Sequence, residues 1–375
     1  MPRRTLFAFV LALGAACGST RTYVPDPGPY DQVPDTWRAE LSRARDLLEA
    51  GDARAAHDLV RPLAAQRPAL LPVRVFLQEL QVRLLADGER VGGFGLPQGQ
   101  DPATALGDLY LERADANPST AEYVLAARLT PSGDDALRML ARAREEDPGC
   151  VWVHYATAWW NAKLRRFPEA REAVAQAFER DPGHLPTMRL HATLLAGAGD
   201  VEPAVLVLGL WLERTAGDPL TDPSQRAEAE VDLAALRLLE ADPSAALEVL
   251  AGVDKGALLD PARAELVRAV ALEDVGQRPQ ALAAARRARD DAPDDLLPLV
   301  HQAMLLGAEG NTTQERQIWE LLLEVAERRA SEPSSDPAAL DIADLVIRLR
   351  ANARLQRLRE QDGARWPRPA GDVRR

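Results

Sequence analysis

The stretch Phe167-Pro168-Glu169-Ala170, run on to Asp181-Pro182, decides the fold because its landmarks recur along the chain. Thirty-four residues upstream stand Ala136 and Asp147-Pro148; thirty-four downstream of Ala170 stands Ala204, preceded by Gly199-Asp200. Ala246, Ala281 and Glu315 continue the series with gaps of 42, 35 and 34 residues. Near the start, Gly51-Asp52, Ala56 and Pro68 keep the same internal offsets, and so do Gly276, Ala281 and Pro293. A fixed period in a long chain marks a repeat architecture. Glycine and aspartate turn the chain between two antiparallel helices. The alanine sits where the second helix crosses close to the first, and a larger side chain would push the pair apart. The proline ends the second helix, since it lacks an N–H and disfavours helix in the residue before it. Ala158 and Ala192, also 34 apart, supply the small site on the first helix.

Composition narrows the possibilities. A chain of 375 residues is too long for one small core, and 46% hydrophobic with 27% charged residues suits a folded protein. Forty-five basic residues against 57 acidic ones give a net charge of −12, which disfavours nucleic acid as a partner. Lys163 and Lys255 are the only lysines, so arginine carries nearly all the positive charge. Two cysteines exclude a disulfide framework and a Cys-rich zinc site. No segment sustains apolar/polar alternation, so no sheet is expected.

A 34-residue period with this turn, alanine and proline resembles the tetratricopeptide repeat (TPR). The resemblance implies an all-α, TPR-like solenoid of about eight antiparallel helix pairs over residues 36–329. The match is strongest from Ala136 to Ala204. It is weakest at Asp87–Gln100, a Gly-rich insertion with Gly92-Gly93-Phe94-Gly95 expected as a flexible loop or a lid, and at Gly217–Gln225. Glu315 departs from the small residue of the family, which predicts a splayed last pair. Residues 330–361 read as a C-terminal capping helix, with Leu340, Ile342, Leu345, Val346 and Leu349 on one stripe. Its arginines, Arg348 to Arg359, suit either the polar outer face of a cap or an acidic partner. Residues 362–375 read as a disordered tail.

The N-terminus reads as an address. Arg3 and Arg4 precede an uncharged run from Thr5 to Ala16, then small residues lead to Cys17, the pattern of a signal peptide over residues 1–16. Leu13-Gly14-Ala15-Ala16-Cys17 resembles the lipobox of bacterial lipoproteins, although Gly14 stands where that family places an apolar residue. The resemblance implies a diacylglyceryl group on Cys17, and Gly18 after it points to the outer membrane. Ordinary secretion with cleavage after Ala16 also fits the small residues, and an uncleaved cytosolic chain is a third reading. Residues 17–35, with Pro25, Pro27, Pro29 and Pro34, read as an extended tether of ~3 Å per residue.

A search for chemistry returns little. His57, His154, His184, His191 and His301 show no i, i+4 pair, so no metal site is expected and the histidines read as surface or interhelix residues. Gly92-Gly93-Phe94-Gly95 lacks the lysine and Ser/Thr of a phosphate loop. No Gly-x-Ser-x-Gly elbow is present. No cofactor is expected and no enzyme is read, although an envelope-polymer enzyme stays as a minor alternative. One constellation stands out: Trp152, Tyr155 and Trp159 share one face of a first helix by spacings of three and four. In the TPR family those positions face the concave groove that holds peptides, and Arg189, in the next repeat, could add a carboxylate contact. Packing against the neighbouring helix is the alternative placement for the three rings; Trp160 reads as packing inward. The resulting expectation is a membrane-anchored scaffold of the bacterial cell envelope. It would bind a protein or peptide partner in an assembly, secretion or pilus type role, with a cytosolic TPR adaptor as the alternative.

Overall fold

The computed structural model describes residues 35–218, 221–293 and 295–331. The N-terminal segment with Cys17, the helix expected over 330–361 and the tail fall outside the described residues, apart from the last residues of the sixteenth helix. Two compact units divide the chain at Asp222 and Pro223, inside the region where the repeat spacing is weakest. The first unit holds α1 (Asp35–Glu49), α2 (Ala53–Gln66), α3 (Leu71–Ala86), α4 (Pro102–Ala116), α5 (Thr120–Leu129), α6 (Gly133–Glu146), α7 (Val151–Lys163), α8 (Phe167–Arg180), α9 (Leu185–Ala198) and α10 (Val201–Arg214). The second holds α11 (Pro223–Leu239), α12 (Pro243–Gly252), α13 (Pro261–Asp274), α14 (Arg278–Asp291), α15 (Leu296–Ala308) and α16 (Thr312–Ser331). Consecutive helices pair as eight antiparallel hairpins, an all-α, TPR-like solenoid.

The alanine series explains the pairing. Ala56, Ala136, Ala170, Ala204, Ala246 and Ala281 are all fully buried. Each is the fourth residue of a second helix and closes its first intrahelical bond to the carbonyl of the N-cap, at 2.9–3.2 Å. A methyl at the crossing lets the first turn of the second helix rest on its partner, and Ala158 and Ala192 do the same from the first helix.

Six of the turns share one geometry. At the fifth position before the alanine the backbone is left-handed: Gly51, Arg165, Gly199, Ala241, Gly276 and Gly310 have φ between 59° and 86°. Each forms the same pair of bonds, such as Gly199 N–H to the Ala196 carbonyl and Asp200 N–H to the Leu195 carbonyl, both 3.0 Å. This doubly bonded ending satisfies two helix carbonyls and fixes the reversal. Between hairpins the chain passes through extended pre-proline residues, as at Asp147 and Asp181, whose carboxylates accept from Gly149 N–H and Gly183 N–H at 2.9 Å.

Two expectations are corrected. The last hairpin is not splayed: α15 and α16 close around Leu299, Ala303, Leu306, Ile318 and Val325. The bulk of Glu315 is absorbed by Gly307, where an added Cβ would lie 2.8 Å from the Glu315 carboxylate. The Gly-rich insertion is a packed clip rather than a loose loop. Val91 and Phe94 exchange backbone bonds of 2.8 and 2.9 Å across Gly92 and Gly93, both at positive φ. Val91 is buried, and Arg54 holds the clip through the Glu89 carboxylate and the Arg90 carbonyl.

Within the first unit, α3 touches α5, α5 touches α7 and α7 touches α9; in the second, α11 touches α13 and α13 touches α15. Successive second helices make no comparable contacts, so the first helices line the inner side of each stack. Side chains reinforce these lateral contacts: Gln78 donates to the Leu125 carbonyl at 2.8 Å, and the Trp160 indole to the Ala127 carbonyl at 3.0 Å. In the second unit ion pairs also join the helices. Glu228 on α11 accepts from the amides of Leu259 and Asp260 ahead of α13 and pairs with Arg263. Buried Glu265 gathers Arg287, Lys255 and Arg268 at 2.8, 3.3 and 3.5 Å.

The turn geometry yields a stability prediction. Ala241 occupies a left-handed position at φ 60°, which costs an L-residue about 1–2 kcal/mol. Glycine avoids that cost and loses about 0.5–1 kcal/mol in chain entropy. Ala241→Gly should therefore raise the urea midpoint, by about 0.5–1 kcal/mol of stability; a lowered midpoint would contradict this account of the turn.

Candidate functional site

Helix α7 carries the aromatic stripe, and the structure gives its three rings different surroundings. Trp152, at the start of the helix, is 9% exposed and belongs to the core. Its indole meets Tyr155 edge-on at 5.8 Å and His184 at 4.6 Å, and Tyr155 meets His184 at 5.5 Å. Tyr155 is half-buried. Trp159, two turns along from Trp152, is 39% exposed. Lys163 lies 5.0 Å over its ring and 4.9 Å over that of Trp160, which is itself buried. The stripe therefore runs from core to surface along one helix.

His184 is the residue that closes the buried end. It caps the start of α9, is fully buried, and its Nδ1 lies 2.7 Å from the Thr187 hydroxyl. Its Nε2 has no hydrogen-bond partner and the ring is enclosed by Trp152 and Tyr155. Burial lowers its pKa from 6.5 to about 3. His191, two turns further along α9, packs against Phe178 at 4.9 Å; burial and the Arg171 charge lower it to about 4. Both imidazoles are neutral in the fold.

Arginines flank Tyr155 from the neighbouring hairpins. Arg128, at the end of α5, donates to Gln78 at 2.9 Å and to Glu79 at 3.3 Å on α3. Arg189, on α9, lies 5.2 Å over the buried Trp211 ring. Burial raises the Tyr155 phenol, while the charges of Arg128 and Arg189 pull it down and Glu79 adds to the rise. Tyr155 and Arg189 are thus joined by Arg128 and Glu79 into one strip on the inner, first-helix side, with Trp159 one helical turn along from Tyr155. Sequence spacing did not flag Arg128 or Glu79. Arg128 stands eight residues before Ala136, a place held by Ala162 and Ala196 in the next two repeats, so no recurrence marks it.

A cleft of about 740 Å³ opens elsewhere in the first unit, along the turns between hairpins. Pro68, Arg113, Asn117, Glu146 and Cys150 line it, with the Arg74–Glu122 ion pair alongside. Burial pushes the Cys150 thiol up, the reverse of what an activated nucleophile requires. Among the described residues no cluster of three or more His, Cys, Asp or Glu is arranged to hold a metal ion. No described helix is long and apolar enough to cross a membrane. Cys17 lies outside the described residues.

No protein-family model and no curated protein matches the chain. It is similar to several solved structures. YrrB, described as a TPR protein with an unusual peptide-binding site, aligns at 20% identity and TM-score 0.43, covering 52% of this chain and 97% of that one. PilF of Pseudomonas aeruginosa aligns at 18% identity and TM-score 0.44, over 62% of this chain and 97% of its own. The Cut9–Hcn1 hetero-tetramer of the APC/C aligns at 13% identity and TM-score 0.47, over 80% of this chain and 59% of that one. These are likenesses of fold.

Two predictions separate core from surface. Trp152→Ala should cost about 3 kcal/mol or more by opening a cavity, whereas Trp159→Ala should stay within about 1 kcal/mol, read by chemical denaturation. Equal losses would place both rings in the same environment. The second concerns pH. His184 and His191 bind protons in the unfolded chain at their ordinary value near 6.5, but in the fold only near 3 and 4. Their contribution to stability is full above pH ~6.5 and declines as pH falls toward those values, by up to ~1.4 kcal/mol per unit for each. His184→Gln should flatten the stability profile between pH 5 and 6.5 by about that slope; an unchanged slope would mean the imidazole is protonated in the fold.

Proposed function

We propose that the chain is a protein-interaction scaffold of the bacterial cell envelope, lipid-anchored through Cys17 and facing the periplasm from the outer membrane. The observation that carries the scaffold reading is the strip on the inner side of the first unit, where Tyr155, Trp159, Arg128 and Arg189 come from three successive first helices. Rings with polar edges beside guanidinium groups already held by neighbouring side chains anchor partners with little loss of conformational freedom. Apart from Trp319, every Phe, Tyr and Trp among the described residues lies in the first unit, so the strip is the natural place for an anchor. Arginines on either side of the Tyr155 phenol favour an extended segment carrying carboxylates. The anchor reading is supported by the basic, apolar and small-residue order of residues 1–17 and by the lipobox-like Leu13-Gly14-Ala15-Ala16-Cys17.

Crosslinking in the envelope, with partner identification, tests the scaffold. A Trp159→Ala/Arg189→Ala chain leaves Trp152 and the core in place and should lose the crosslinked partner, with binding weakened about thirty-fold for each anchor removed, at ~2 kcal/mol per anchor. A folded double variant that keeps its partners would exclude the strip. Mass spectrometry of the mature N-terminus tests the anchor separately: acylated Cys17 is the expected species, and an intact Met1 would end that reading.

A further inference from the structure

Six large hydrophobic side chains are exposed among the described residues, and three of them belong to one hairpin: Trp159 at 39%, Leu164 at 36% and Phe167 at 40%. Every residue from Lys163 to Glu169 is exposed, so this turn between α7 and α8 forms an open tip. Its charge is also distinctive. The turn residues Leu164, Arg165 and Arg166 include two cations and no acid, and one of the two lysines of the chain, Lys163, adjoins them. The corresponding turns carry Asp52, Asp200, Glu240 with Asp242, and Glu309, or no charge at all between α5 and α6 and between α13 and α14, and the longer α3–α4 connection sets Arg90 among Asp87, Glu89 and Asp101. Nearby acids are Glu169 and Asp134, the latter paired with Arg166 at 3.0 Å. Arg165 stands at φ 59° where four sibling turns use glycine. The fold thus bears a strained backbone while presenting an arginine side chain at the tip.

We infer that this tip is a docking surface for anionic phospholipid. Cations that meet headgroup phosphates, beside Leu164 and Phe167 that enter the acyl boundary, are the chemistry of an interfacial membrane contact. An exposed turn can enter that boundary, whereas the inner strip of first helices is shaped for a segment of chain. With a net charge of −12, the remainder of the molecule is repelled by an anionic surface. A basic, apolar tip therefore sets which part faces the lipid. This contact is independent of the lipid anchor and would orient an anchored or an unanchored chain alike.

The test uses the full chain with Cys17→Ser, so that no acyl group contributes, and sedimentation with phosphatidylglycerol/phosphatidylethanolamine vesicles against phosphatidylcholine vesicles. Any contribution of the N-terminal segment is common to all variants. Arg165→Gly removes a cation and relaxes the backbone, so unfolding cannot explain its effect. It should lower partition onto the anionic vesicles about five-fold, the equivalent of ~1 kcal/mol for one basic residue, and leave the neutral vesicles unchanged. Phe167→Ser should lower partition as well. As a local readout, a fluorophore on Leu164→Cys in a Cys17→Ser/Cys150→Ser chain should shift to the blue with anionic vesicles, while one on the native Cys150, at the other end of α7, should not. Wild-type partition by both variants, or an unshifted label at position 164, would overturn the assignment. A tip that meets an acidic protein instead would give those same two results.

Discussion

The closeness with which the second helix of each hairpin approaches the first governs the rest of the structure. A fully buried methyl at Ala56, Ala136, Ala170, Ala204, Ala246 and Ala281 allows that approach. In six of the hairpins the approach is met by a left-handed residue, which reverses the chain in a short space while leaving the last carbonyls bonded. Hairpin geometry then determines stacking, and stacking brings the first helices into mutual contact on the inner side of each unit. Residues distant in sequence, such as Arg128, Tyr155 and Arg189, become neighbours as a consequence. The candidate face is a product of helix spacing before it is a product of any particular side chain.

Departures from the pattern show that the constraint is steric and not a matter of residue identity. At the last hairpin the bulk has moved to Glu315 on the second helix, and the first helix offers Gly307 in return, so the sum of sizes across the interface is kept. Arg165 and Ala241 hold the left-handed turn position without glycine, and both turns still make the paired helix-ending bonds. Packing on either side imposes the backbone there, and the strain is borne locally.

These departures also mark what the sequence did and did not disclose. Period, turn and alanine were legible because they are local and recur at fixed offsets, so the eight hairpins and the inward-facing Trp160 could be read before any coordinates. The last hairpin was misread because compensation by Gly307 is a contact between helices that no single repeat displays. The clip at residues 89–94 was misread for a related reason: Gly92-Gly93 signals flexibility on composition, yet two positive-φ glycines also make the tight reversal that lets Val91 enter the core. At the candidate face, three aromatics on one side of a helix could be seen by spacing alone. How each is covered depends on His184, which reaches Trp152 from the start of the next first helix. Arg128 escaped notice because Ala162 and Ala196 fill its equivalent positions in the next two repeats, so it recurs nowhere.

Helix α7 shows how one element can serve three ends without conflict. Its N-terminal turn is sealed by His184, whose lowered basicity is the signature of a ring given up to packing. Its middle presents Tyr155 between charges from both neighbours, half-buried, where a phenol can lend area without breaking the core. Its C-terminal turn leaves Trp159 and Lys163 to solvent, next to a turn whose cations oppose the net charge of the chain. Exposure rises along this one face only, since Ala158 and Ala162 stay buried against Leu190 and Leu194 of α9. A gradient of burial of that kind needs no dedicated loop or insertion. It arises where a regular solenoid places large side chains along one face of a helix, and the interaction chemistry collects where that face reaches solvent.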